Sequence, residues 1–257
     1  MILGSDKATV GDGAVGETFR TTSYVTEIDG KTYNLHDTVG LGEHSRGTVD
    51  SAKAVGNLYC LLTDLSSSGG VNLLVFVVKC GRLTDSIHKN YNLFHQSFCD
   101  SKVPIVIVVT GCENVEPTMD TWWTKNERWF TQAGMPFNGH ACVCAFRGTR
   151  ACNGEYRNGD LIGVSVKAVK ELIVHHCASD GWRKVCHVQF LQTLKPYDIE
   201  NAFYLATNYL ASKGYRVHDR PVSVIENTTC LHQSLQSPHK CLLQLRSKGN
   251  YRRGNTQ

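Results

Sequence analysis

Thr32-Tyr33-Asn34-Leu35-His36-Asp37-Thr38-Val39-Gly40-Leu41 is the stretch whose reading decides the fold. Tyr33 and Leu35 alternate with polar neighbours, the period-2 pattern of a strand that packs one face. The strand runs into Asp37 and Gly40 at D-x-x-G spacing. Open α/β sheets hold their ligands at such carboxyl ends. An Asp there can anchor the shell of a Mg²⁺ ion, and a Gly lets a backbone N–H approach a terminal phosphate. Asp and Gly are also ordinary turn formers, so the rest of the chain decides between a turn and a site.

Working outward, residues 23–28 and 31–35 flank Asp29-Gly30, the two-residue signal for a type I′ hairpin turn. Residues 8–23 are rich in Gly, Thr and Ser and read as a loop, and Met1-Ile2-Leu3-Gly4 reads as the last turn of a helix stopped by glycine. Downstream, Val49, Ala52, Val55, Leu58, Leu61 and Leu62 mark a helical stripe over residues 48–65. The apolar run 71–78 predicts a strand buried on both faces, and 103–109 a second. Helices are expected over 86–98, 122–133 and 161–176, with a short strand over 140–146. Strands alternating with helices, with fully apolar central strands, predict a doubly wound, mostly parallel α/β sheet with helices on both faces. Beyond about residue 179 the pattern weakens. Residues 200–213 read as one more helix, more suited to packing than to filling a partner's groove, and 227–257 as loosely ordered. The expected division is therefore 1–178 and a partly helical, basic extension over 179–257.

Composition narrows the class. The chain has 257 residues, 41% of them hydrophobic and 19% charged, which suits a globular core rather than a disordered chain. A net charge of only +4 gives no reason to expect a nucleic-acid partner, although Lys240, Arg246, Lys248, Arg252 and Arg253 gather near the end. No apolar run reaches the length of a membrane span, and no secretory signal is visible after Met1. The eleven cysteines read as reduced thiols of a cytoplasmic protein.

Two further motifs close apolar strands. Thr110-Gly111-Cys112-Glu113 follows the run 103–109, and a carboxylate there can accept hydrogen bonds from N1–H and the exocyclic amine of guanine. Cys144-Ala145-Phe146 ends the next strand, where backbone N–H groups can meet a base carbonyl. Each also has a plainer reading as a surface turn.

With Asp37-Thr38-Val39-Gly40-Leu41, Gly81-Arg82-Leu83-Thr84 and Thr110-Gly111-Cys112-Glu113 in this order, residues 1–178 resemble the Ras-like GTPase fold, and within it the immune-associated nucleotide-binding and septin-like branch and its fungal relatives. The resemblance implies GTP or GDP as ligand, Mg²⁺ as cofactor, and GTP hydrolysis, slow or partner-assisted, as activity. It implies Thr18 and Asp37 on the metal, with Thr21 and Thr22 as rivals to Thr18, Gly40 at the γ-phosphate, Thr110, Gly111 and Glu113 at the guanine, and Cys144 and Ala145 in the base-side loop. The guanine motif of the family is N/T-K-x-D, often T-x-x-D in the immune-associated branch; here Glu113 adds a methylene and Gly111 removes the Lys stem that covers the base. Leu41 stands where Ras-type enzymes place a water-orienting Gln, with Glu43, His44 and Arg46 nearby.

The phosphate loop G-x-x-x-x-G-K-[ST] does not occur, and Gly11-Asp12-Gly13-Ala14-Val15-Gly16 neither follows a strand nor opens a helix. The resemblance thus implies a domain lacking its first strand. That strand lies between those ending near Leu35 and Val78, so a seam or a direct pairing of the two is expected unless another segment fills the gap. Two alternatives stand beside the nucleotide reading. One is a nucleotide-free pseudo-GTPase that works as an interaction module, as a homodimer or with another protein. The other is a zinc site on His140, Cys142 and Cys144, or on His175, His176, Cys177, Cys186 and His187.

Overall fold

The computed structural model describes residues 22–38, 61, 64–66, 68–150, 152, 154–183 and 240–247. Strand β1 (Thr22–Ile28) turns through Asp29 and Gly30, both at positive φ (51° and 72°), into β2 (Lys31–Thr38). That is the backbone a type I′ hairpin requires, and Asp-Gly supplies it at low steric cost. Strand β3 (Leu73–Lys79) leads into α1 (Asp85–Tyr91), which widens into a π-helical turn over Asn92–Phe98. The hydroxyl of Thr84 caps α1 by accepting from the Ile87 N–H. Then come β4 (Ile105–Thr110), α2 (Thr121–Gln132), β5 (Gly139–Val143), α3 (Gly159–His176) and β6 (Lys240–Ser247).

All six strands join one sheet in the order β1-β2-β6-β3-β4-β5. The β1–β2 pair is antiparallel; every other neighbouring pair is parallel. The core is built by alternation along β3 and β4. Leu74, Phe76, Ile105, Ile107 and Val109 pack on one face against Tyr91, Phe94, Phe98, Trp123 and Phe130. Leu73, Val75, Val106 and Val108 pack on the other against Val169, Leu172 and Ile173 of α3, together with Tyr33 and Leu35. Helices on both faces are what continuous apolar strands demand.

The start of β3 is pinned from the far end of α3. Asn72, a buried polar residue, donates from Nδ2 to the Ala178 carbonyl (3.1 Å), and the Ala178 N–H donates back to Asn72 (3.1 Å). Val71 and Trp182 exchange two backbone bonds of 2.9 Å.

Of the outcomes expected at the gap, the structure shows the third: another segment fills it, with neither a seam nor a direct pairing of β2 with β3. Lys240–Ser247 lies between them, with Leu35 and Leu73 both opposite Leu242. This corrects two expectations: residues 227–257 are not uniformly loose, and the sheet takes a central strand from beyond residue 178. The reason is that two parallel edges with unpaired N–H and C=O groups are costly, and any chain segment of strand character that reaches them satisfies both. The helices expected over 48–65 and 200–213 fall largely or wholly outside the described residues, as does the turn expected at residues 1–4.

Removing residues 240–257 should therefore abolish cooperative unfolding, read as loss of a single sigmoidal transition in circular dichroism. Persistence of a sharp transition would mean that the slot closes without β6. A second expectation concerns His95, whose ring Nε2–H donates to the Val103 carbonyl (3.1 Å) while Nδ1 is buried with no partner among the described residues. Burial lowers its pKa from 6.5, against the opposing effect of that hydrogen bond. Below pH 6.5 the unfolded chain takes up a proton that the folded ring resists, so stability falls as the pH drops from 6.5 toward 5. Denaturant midpoints at pH 7 and pH 5 should show the fall, and His95→Gln, which keeps a donor to Val103, should make it smaller.

Candidate functional site

Because β2, β6, β3, β4 and β5 run the same way, their carboxyl ends share one edge of the sheet. Asp37 is half-buried near the end of β2, next to the buried Thr38. Ser247 ends β6, Lys79 ends β3, Thr110 ends β4 and Val143 ends β5. The edge thus carries Asp37, Thr110, Gly111, Glu113, Cys144 and Ala145 together. Thr18 and Gly40 fall outside the described residues, as do Thr21 and Leu41, Glu43, His44 and Arg46.

The turn after β4 is held from both sides. The Cys80 N–H donates to the Thr110 carbonyl (2.7 Å), and the Thr110 hydroxyl donates to the Val78 carbonyl (3.2 Å). On the other side the Cys112 N–H donates to the Val143 carbonyl (3.2 Å), so the β4 and β5 ends form one unit. Gly111 sits at φ 79°, a conformation that side-chain-bearing residues avoid. The Lys79 side chain runs beside it, with Cγ and Cε 3.7 Å from where a Cβ would stand, an ordinary contact distance. A lysine stem borne by β3 therefore lies against this turn, although the turn itself carries none.

Glu113 follows directly. It is half-buried, and its Oε2 is shut from water with no hydrogen-bond donor among the described residues. A desolvated carboxylate oxygen is costly until a donor meets it. Beside it the Cys80 thiol is pushed up to about 11, first by burial, then by the neighbouring Cys112 and Glu113, with Lys79 opposing. The Cys112 thiol is driven up further by its hydrogen bond with Cys142 and by burial.

The loop after β5 differs from expectation in one respect. The strand stops at Val143 rather than running to 146, and the Cys144 N–H donates to the Ser165 hydroxyl (2.9 Å). Ser165 is fully buried on α3 and donates onward to the Leu161 carbonyl (2.6 Å). The Cys144 amide is thus already used in tying the loop to α3, which leaves the exposed Ala145 and Phe146 as the residues facing outward. Sequence reading missed Ser165, because a lone Ser in an amphipathic helix carries no signal of a long-range bond.

Along the edge, Asp37 and the Glu113 turn are separated by three strand spacings, about 14 Å. An open groove of about 350 Å³ flanks the edge, between Gly81-Arg82-Leu83 and the α2 residues Trp122, Asn126, Trp129 and Phe130. Its exposed Trp129 carries the Arg128 guanidinium 4.5 Å from the ring.

The first metal alternative has plainer structural roles; of the second, Cys186 and His187 lie outside the described residues. His140 stacks on Trp123 (centroids 5.0 Å apart, 14° between planes) and lies 4.0 Å from Asp120, while the Cys144 thiol donates to the Phe146 carbonyl (3.1 Å). No group of three His, Cys, Asp or Glu side chains among the described residues is placed to hold a metal ion. No helix among them is long and apolar enough to cross a membrane. No family model matches the chain, and no curated protein matches it.

The raised Cys80 pKa has a measurable consequence. At pH 8 a thiol near 11 holds on the order of a hundredfold less thiolate than an ordinary cysteine. Iodoacetamide should label the exposed Cys152 well before Cys80, followed by peptide mass spectrometry. Equal labelling rates would contradict the enclosure of Cys80 beside Cys112 and Glu113.

Proposed function

We propose that the carboxyl edge of this sheet binds a guanine nucleotide with Mg²⁺, as a Ras-like G domain does. The observation that carries the reading is the arrival of Asp37, the Glu113 turn and Cys144-Ala145 on one edge, delivered by parallel strands. Open α/β sheets use that edge for ligands. Strand order adds support: an antiparallel hairpin at one side, then parallel strands, with the strand between β2 and β3 in the slot where the resemblance puts the strand that leads to the phosphate loop.

Each end of the edge suits one end of a nucleotide. The Glu113 carboxylate, with a buried oxygen lacking a donor among the described residues, fits the N1–H and amine of guanine. The Lys79 stem along Gly111 supplies apolar cover on the β3 side. Asp37, half-buried near its strand end, fits Mg²⁺, which is commonly held by one or two carboxylates together with substrate phosphates. Thr18 would join it, and Gly40 would meet the γ-phosphate. The bound metal would neutralise phosphate charge. Leu41 in place of a water-orienting Gln makes any hydrolysis slow.

The sequence after β6 supports the phosphate end. Gly249-Asn250-Tyr251-Arg252-Arg253-Gly254-Asn255-Thr256 repeats the G-x-x-x-x-G-K-[ST] spacing, with Asn255 in place of the Lys. Such a segment keeps the backbone N–H groups and the hydroxyl of a phosphate loop and lacks its point charge. In this reading the phosphate-binding element follows β6 in the sequence.

Isothermal titration with GTP and Mg²⁺ tests the proposal. Binding should weaken about tenfold or more in Glu113→Ala, the worth of hydrogen bonds to a charged acceptor. ATP should bind more weakly than GTP to the unaltered chain, and Asn255→Lys should tighten GTP by about tenfold. No heat of binding to either the unaltered chain or Asn255→Lys would favour the interaction module, for which the missing Lys is the specific support.

A further inference from the structure

Helix α2 carries two aromatic stripes, and core packing explains one of them. Trp123 and Phe130, seven residues apart, are buried in the core, where their rings stack with centroids 5.4 Å apart. Trp122 and Trp129, also seven apart, form the neighbouring stripe with Asn126 between them. One apolar stripe is enough to pack a helix on a sheet, so the second is surplus to the fold. Trp129 is 47% exposed, and Leu83, on the facing loop, is 37% exposed. With Gly81, Arg82, Trp122, Asn126 and Phe130 they line the open groove of about 350 Å³.

Both walls of the groove are held in place. The facing loop is fastened before Gly81 by the Cys80 N–H on the Thr110 carbonyl (2.7 Å), and after Leu83 by the Thr84 hydroxyl, which accepts from the Ile87 N–H (3.4 Å). On α2 the Asn126 side-chain amide donates to the Trp122 carbonyl (2.6 Å), and the Trp122 ring meets Phe130 edge-on at 6.1 Å. The charge at the groove is of one sign. Arg82 is exposed and makes no hydrogen bond or ion pair among the described residues, and the Arg128 guanidinium lies over the Trp129 ring at 4.5 Å. Asp85 and Glu127, the acidic residues nearest to them in the chain, do not line the groove.

We propose that this groove binds a small planar apolar anion, an aromatic carboxylate or sulfonate, with its rings against Trp129 and Leu83 and its charge on Arg82. Small-molecule sites of roughly 300 to 1,000 Å³ are apolar and aromatic in lining, with a few placed polar groups, and this groove lies at the small end of that range. A guanidinium offers parallel N–H donors that match the oxygens of such an acid. The two kinds of group have separate roles: the rings bind any flat apolar body, and the unpaired cation selects the negative one. The groove uses neither Asp37 nor Glu113 nor the loop after β5, so the inference stands apart from the nucleotide reading.

The experiment titrates the full chain with two fluorescent probes of like shape, the anionic anilinonaphthalenesulfonate and the uncharged phenylnaphthylamine. Trp129→Ala should weaken both by about tenfold, and Trp129→Phe should recover most of the loss. Arg82→Gln should weaken the sulfonate by about fivefold and leave the neutral amine unchanged. Raising the salt from about 0.05 M to 0.5 M should do the same. Both side chains are exposed, so the melting temperatures should stay at the unaltered value; if Trp129→Ala is less stable, Arg82→Gln decides alone. Failure of the chain to bind the sulfonate overturns the proposal, as does an affinity that Arg82→Gln leaves unchanged. Equal loss of both probes in Arg82→Gln makes Arg82 part of the groove's shape and overturns the selection for an anion. A dimer that Trp129→Ala dissociates would mean that a second copy fills the groove, and overturns the proposal too.

Discussion

The structure depends on one requirement, that the inner edges of β2 and β3 find partners for their backbone N–H and C=O groups. Both strands sit deep in the sheet, and buried backbone polar groups left unpaired cost about as much as the hydrogen bonds they forgo. Residues 240–247 meet that requirement on both sides at once, six paired positions with each neighbour. The hairpin β1–β2 on one side and the β3–β4–β5 block on the other are thereby parts of a single sheet.

That pairing also sets the direction of everything at the edge. A parallel strand between two parallel strands puts all five carboxyl ends on the same side, and it is there that side chains and turns are free to vary without disturbing the ladder. The β4 and β5 ends are closely knit by Cys112 to Val143, Cys80 to Thr110 and Cys144 to Ser165. They form a rigid base on which Glu113 and Phe146 are carried. A carboxylate oxygen kept from water and a ring kept in it are unusual in opposite senses, and both stand on this base.

How much of this was legible in the sequence follows from where each signal resides. The β1–β2 hairpin was legible because its turn chemistry and its period-2 pattern are local. Strands β3 and β4 were legible because burial on both faces leaves unbroken apolar runs. Helix α3 showed its stripe for the same reason, within two residues of its observed start. Strand β6 was not legible: Lys240, Gln244 and Arg246 interrupt its apolar residues, and its partners lie more than 160 positions away. Pairing of that kind is decided by the vacancy in the sheet, which no local pattern records. The end of β5 was overrun for a related reason, since a hydroxyl on α3 takes the amide that would have continued the ladder.

The central strand has a metric consequence for the edge. With β6 in place Asp37 and the Glu113 turn stand three strand spacings apart; were β2 and β3 paired directly the separation would be two, shorter by about 4.8 Å. In the proposed reading these residues take opposite ends of one nucleotide, the metal-bound phosphates and the base. The length of the site is then a property of the number of strands between its ends, and neither residue can adjust it alone. A chain that satisfied its backbone by closing β2 onto β3 would bury the same apolar residues and still offer a site too short by a strand. In that reading, filling the slot with a segment from far along the chain preserves the length, so the order of elements in the sequence can change while the order in space, on which the proposed chemistry depends, does not.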